Sequence, residues 1–93
     1  MHLLRLLLCL LPAFLPLPAL TAPADVGIVL LHGKWGSPNQ MQSLARDLES
    51  KGYQAVAPEA AWSGRRLYDK DYPAALQEIR AQADALRTKG AKK

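Results

Sequence analysis

The chain has 93 residues, 49% apolar and 22% charged, with a formal charge of +4, one cysteine and two histidines. That length holds one small domain at most. Lys89, Lys92 and Lys93 supply the charge excess that remains once Arg5 is set aside, which reads as a solvated tail and excludes a basic nucleic-acid stripe, while the cysteine and histidine counts exclude a disulfide framework and a histidine-rich metal site.

Residues 1–24 read as an export signal. His2 and Arg5 make a short n-region, residues 6–15 an apolar run, Pro12, Pro16 and Pro18 a proline-rich exit, and Ala22-Pro23-Ala24 a small-x-small cleavage site. Cleavage there makes Asp25 the first mature residue, removes Cys9, and places the product in the periplasm or outside the cell. The alternatives are an uncleaved membrane anchor and a buried core helix. The apolar run is shorter than the roughly 20 residues of a span, and prolines interrupt it. Leu6-Leu7-Leu8 stand where a lipid-attachment cysteine needs small residues before it.

Residues 26–31, Val-Gly-Ile-Val-Leu-Leu, are β-branched or leucine around one glycine, which predicts a parallel strand covered on both faces. Ser37-Pro38-Asn39-Gln40 predicts a helix start. Ser37 is its N-cap, Pro38 takes the first helical position, and Gln40 reaches back to close a capping box. Met41, Leu44, Ala45 and Leu48 follow at helical spacing, and Gly52 stops the helix as a left-handed cap. Residues 53–57 form a second short strand ended by Pro58, which completes a strand-helix-strand unit with a right-handed crossover. A loop over residues 58–71 carries Trp62, Ser63, Gly64, Arg65 and Arg66. A second helix begins near Asp71-Tyr72-Pro73, buries Leu76, Ile79, Ala83 and Leu86, and runs to about Lys89 before Gly90. The expected class is α/β, a strand-helix-strand-helix domain with a parallel sheet over residues 25–93.

Leu30-Leu31-His32-Gly33, an apolar strand running into His-Gly, a short Gly/Ser turn and a capped helix, resembles the opening of an α/β-hydrolase, the serine-hydrolase superfamily, over residues 26–90. The resemblance implies a partial three-layer α/β-hydrolase-like fold, ester or acyl hydrolysis, and an oxyanion hole to which Lys34, the residue after His-Gly, gives its backbone N–H. Fixed amide dipoles stabilise the negative oxygen of a tetrahedral intermediate without reorganising, by about 3 kcal/mol per donor. It also implies that His32 shapes the oxyanion turn, that Gly33 and Gly36 permit the close turn, and that Lys34 and Trp35 line the site entrance.

His32 reads as a scaffold histidine, with general base as its alternative, and Trp35 as packing or a substrate contact. Ser63 lacks the Gly-x-Ser-x-Gly elbow, since Ala61 and Arg65 stand where glycines are required. Arg65 and Arg66 read as a solvated or salt-bridged loop, with attraction of an acidic substrate as the alternative.

His32 is the one histidine beyond residue 24, and no Gly-x-Ser-x-Gly is present. The nucleophile, acid and catalytic histidine are therefore expected from elsewhere, and the chain is expected to be an N-terminal fragment of an exported hydrolase-like protein, inactive alone. A small-molecule ester is its substrate only if missing segments complete the site. By the family's strand order the first strand keeps one unpaired apolar edge, through which the chain self-associates. No cofactor, no metal and no nucleic-acid partner are expected. The competing reading is a small exported binding or assembly protein that uses the open parallel sheet edge.

Overall fold

The computed structural model describes residues 22–93. Cys9 and the expected export signal up to residue 21 lie outside the described residues. After a single 3-10 turn, Pro23–Asp25, the chain forms β1 (Gly27–Val29), α1 (Asn39–Ser50), β2 (Gln54–Val56) and α2 (Tyr72–Thr88). β1 and β2 pair in parallel, with Gly27 opposite Gln54, Ile28 opposite Ala55 and Val29 opposite Val56. Parallel pairing needs a crossover long enough to return the chain to its starting end, and α1 supplies it. α1 packs on β2 and α2 on β1. The result is the mixed α/β, strand-helix-strand-helix arrangement expected from the periodicities.

Both helices stop where glycine follows. Gly52 takes φ +96° and Gly90 φ +108°. Tyr53 N–H then reaches back to Leu48 C=O, and Ala91 N–H to Leu86 C=O, the same six-to-one closure at each end. Asp71 caps α2 by accepting the Ala74 N–H at 2.9 Å. The start of α1 differs from expectation. Ser37 makes no side-chain cap bond although Pro38 after it is helical at φ −55°, ψ −25°, and the chain enters through Gln40 N–H to Ser37 C=O and Met41 N–H to Pro38 C=O. Gln40 instead accepts the Gly33 N–H at 3.3 Å, so it serves the turn rather than a capping box.

Two expectations for the strands are corrected. The ladder covers three residues of each strand rather than 26–31 and 53–57, and every residue in it is half-buried. With one neighbouring strand and one principal helix apiece, neither strand is covered on both faces. The buried apolar side chains among the described residues are Ala45, Ala60, Ala61, Ala75, Leu86 and Ala91. Such small side chains let backbones approach closely. A Cβ on Gly27 would stand 3.1 Å from the Cβ atoms of both Ala91 and Leu86, so this glycine sets the distance between β1 and the end of α2. Leu76, Ile79 and Ala83 are only half-buried, which leaves part of the expected α2 stripe uncovered. Among the described residues no helix is long and apolar enough to cross a membrane.

The lysine tail is not free in solvent as its composition suggested. Beyond Gly90 the chain turns alongside β1: Lys93 N–H donates to Asp25 C=O at 3.0 Å and Gly27 N–H donates to Lys93 C=O at 2.7 Å. Those two bonds have the pattern of a parallel pair between Val26 and Lys93, on the edge of β1 opposite β2.

Candidate functional site

β1 delivers the chain into His32, which is 3% exposed. Its Nε2 accepts the Ala60 N–H at 3.0 Å and its Nδ1 lies 2.9 Å from Gly33 C=O, so the proton sits on Nδ1. The His32 carbonyl accepts the Trp62 Nε1–H at 2.8 Å. Nε2 and the carbonyl join the segment after β1 to the loop after β2, while Nδ1 holds the adjacent Gly33 carbonyl within the turn. No ring nitrogen remains to take a proton from a nucleophile, and the residue acts as a scaffold.

The next residues form a turn closed by Gly36 N–H to Gly33 C=O at 3.0 Å. Its third position, where left-handed backbone favours glycine, belongs to Trp35 at φ +62°. Of the two glycines expected to permit the close turn, Gly36 does so by close approach, since a Cβ there would run into the Gln40 side chain and stand 3.0 Å from the Gly33 carbonyl oxygen, whereas a side chain on Gly33 would meet open space. A left-handed tryptophan costs about 1–3 kcal/mol and persists only where its surroundings hold it. Here Trp35 N–H donates to Trp62 C=O at 2.8 Å and Gly64 N–H to Gly36 C=O at 3.0 Å. Gly64 is required by close approach, since its Cβ would stand 2.8 Å from the Trp35 carbonyl oxygen. Between these pinned amides, Lys34 is exposed and its N–H has no acceptor among the described residues.

Beside the turn stands an exposed wall. Trp35 and Tyr68 meet edge to face, centroids 5.5 Å apart and planes at 82°, with Lys34 Nζ 5.8 Å from the Trp35 ring centre. Leu67 (φ +52°) and Tyr68 (φ +60°) are also left-handed, so three strained non-glycine residues gather at one patch. Leu67 and Tyr68 carried no signal in the sequence, because nothing local marks a bulky residue for that backbone region. Gly64 did stand in a flagged loop, but its partner, the Trp35 carbonyl, is visible only in three dimensions.

The loop below is an ion-paired lattice. Ser63 is fully buried. Its hydroxyl donates to Glu59 Oε2 at 2.9 Å and accepts the Arg66 N–H at 3.0 Å. Arg65 forks onto Glu59, and with Ser63 it holds the Glu59 carboxyl down to about 2. Arg66 binds Glu78 through two nitrogens at 2.7 and 2.9 Å and also binds Asp69, which lowers both carboxyls and raises the guanidinium further. Both arginines are engaged within the fold, which favours the salt-bridged reading over capture of an acidic substrate. Above this lattice a cavity of about 420 Å³ is lined by Leu31, Pro58, Ala75 and Ile79, with Glu59 and Arg66 at its polar end. Among the described residues no three His, Cys, Asp or Glu side chains converge to hold a metal. No known family, curated protein or solved structure matches this chain.

Proposed function

We propose that the Gly33–Gly36 turn is the oxyanion-binding part of an α/β-hydrolase-like site, with the Lys34 N–H as its donor, and that the chain contributes this part without hydrolysing esters by itself. The Lys34 amide carries the reading: it lacks an acceptor among the described residues, follows a parallel strand at its carboxyl end, where open α/β sheets form their ligand crevices, and is flanked by peptides that the Gly36, His32 and Trp62 hydrogen bonds hold in place. When a nucleophile adds to an ester carbonyl, charge develops on the oxygen. An amide that is already oriented and cannot turn away stabilises that charge without reorganisation. His32 and Gly36 fix the turn through their bonds to the neighbouring loop, and Gly33 closes it. Trp35, with Tyr68 against it, walls the entrance.

Neither His32 nor Ser63 has the free atoms a relay requires. Turnover of an ester-type substrate therefore needs a nucleophile, an acid and a second histidine from other segments. The apolar leader over residues 1–24 directs the chain to export, and N-terminal sequencing of exported material that returns Asp25 is the expected check.

The turn is tested with ¹⁵N-labelled chain titrated with butyrate, whose carboxylate oxygens stand in for the charged oxygen. The Lys34 amide proton is expected to move downfield saturably, while p-nitrophenyl butyrate is hydrolysed at the buffer rate. A Lys34 resonance that stays still defeats the oxyanion reading, and fluorophosphonate labelling of any serine defeats the statement that the chain does not catalyse alone.

A further inference from the structure

We infer that Arg66 is a positioning residue for the Lys34 amide, acting through a single file of hydrogen bonds. The file passes from its guanidinium through the Glu59–Ala60 peptide, the His32 ring and the Gly33–Lys34 peptide, with every donor pointing the same way. Because this rests on the oxyanion reading of Lys34, the two are separated in the experiment below.

Arg66 Nη1 donates to Glu59 C=O at 3.1 Å. The N–H of that same peptide unit, at Ala60, donates to His32 Nε2 at 3.0 Å. Across the ring, Nδ1–H donates to Gly33 C=O at 2.9 Å, a carbonyl that also accepts the Gly36 N–H at 3.0 Å. The N–H of this second peptide unit belongs to Lys34 and ends the file without an acceptor among the described residues.

Two physical effects travel along such a file. The first is orientation. A planar trans peptide holds its C=O and N–H opposed, so fixing the oxygen at one end aims the hydrogen at the other, and neither peptide turns without giving up the bonds that hold it. The second is polarisation. A donor at a carbonyl oxygen strengthens the N–H across the same peptide, and aligned bonds reinforce one another where water is excluded. His32 and Ala60 are both buried. The guanidinium is placed from outside the file: Glu78, on α2, takes Nη1 and Nη2 at 2.7 and 2.9 Å, and Asp69 takes Nε at 3.0 Å. One side chain thus ties α2 to the turn that carries Lys34. Arg65, its neighbour, pairs with the Glu59 carboxylate and stands outside the file.

The test uses the full chain labelled with ¹⁵N. In the wild type the His32 hydrogen is expected on Nδ1, with Nε2 bare and showing a through-bond coupling to the Ala60 nitrogen. In Arg66→Met the Ala60 amide, His32 Nδ1 and Lys34 amide protons are all expected to move upfield, and butyrate to bind at the Lys34 amide about threefold or more weakly. Gly52→Ala, which strains the far end of α1 at φ +96°, is the control for lost stability. Its urea midpoint is expected to fall while the three protons and the butyrate affinity stay in place. If Arg66→Met fails to fold, Arg66→Lys decides: it keeps the charge without the fork, and smaller upfield shifts of the same three protons are expected. A hydrogen on Nε2, an Arg66 variant that loses stability with the Lys34 proton and butyrate affinity unmoved, or equal shifts in Gly52→Ala each overturn the assignment. Failure of butyrate to move Lys34 in the wild type defeats the oxyanion reading instead, and the shifts of the free chain still decide the role of Arg66.

Discussion

His32 joins segments 28 residues apart by accepting the Ala60 N–H, and Gly64 joins nearly the same two segments by leaving room for the Trp35 carbonyl. Replacing His32 with alanine leaves a backbone donor at the buried Ala60 without an acceptor. The expected loss is about 1–3 kcal/mol, read as a lower urea midpoint at unchanged slope, and His32→Gln, whose side-chain oxygen can approach the same N–H, is expected to recover part of it. Gly64→Ala puts a carbon 2.8 Å from the Trp35 carbonyl oxygen, closer than real Cβ atoms stand. A similar loss of about 1–3 kcal/mol is expected, together with a changed Trp35 emission as the edge-to-face contact with Tyr68 is displaced. His-Gly after an apolar strand was legible as a pattern, and so was the scaffold reading of His32. That Trp35, and not a neighbouring glycine, takes the left-handed position was not legible, because the bond that holds it comes from Trp62.

Among the elements, the helices follow local rules closely: Asp71 caps, Gly52 and Gly90 stop. The loop between β2 and α2 follows none: Ala60, Trp62 and Gly64 tie it to the segment after β1, and ion pairs of Glu59, Arg65 and Arg66 link it within itself and to α2. Glu59 is held at about 2 against an ordinary 4.5, so the folded loop binds fewer protons than the unfolded chain between those values. Stability from this group is therefore complete above about pH 4.5 and is lost as the pH falls toward 2. A urea midpoint that declines through this window is expected, and Glu59→Gln is expected to flatten that part of the decline. Glu78 and Asp69, lowered by Arg66, add to the same trend. The sequence offered two arginines and scattered carboxylates in this region, and their pairing follows only from the path that brings residue 66 against residue 78.

At the scale of the whole molecule, β1 is the hub. It pairs with β2 on one edge, receives the tail on the other, and lies under α2 at a distance set by Gly27. Gly27→Ala places a methyl group 3.1 Å from two Cβ atoms and is expected to push α2 away, with a loss of about 1–3 kcal/mol. The measurement is the thermal midpoint, accompanied by faster amide exchange at Gln54, whose N–H donates to Val26 C=O.

Chain order, element type and the glycine stops of both helices were determined by the sequence alone, since each depends on periodicity or on a cap within one helical turn. The tertiary structure decided where the tail goes, which residue bears the strain of the turn, and how much of the strands is covered. Those outcomes depend on contacts between segments roughly 25–65 residues apart, and their geometry exists only once the crossover helix has laid one strand beside the other.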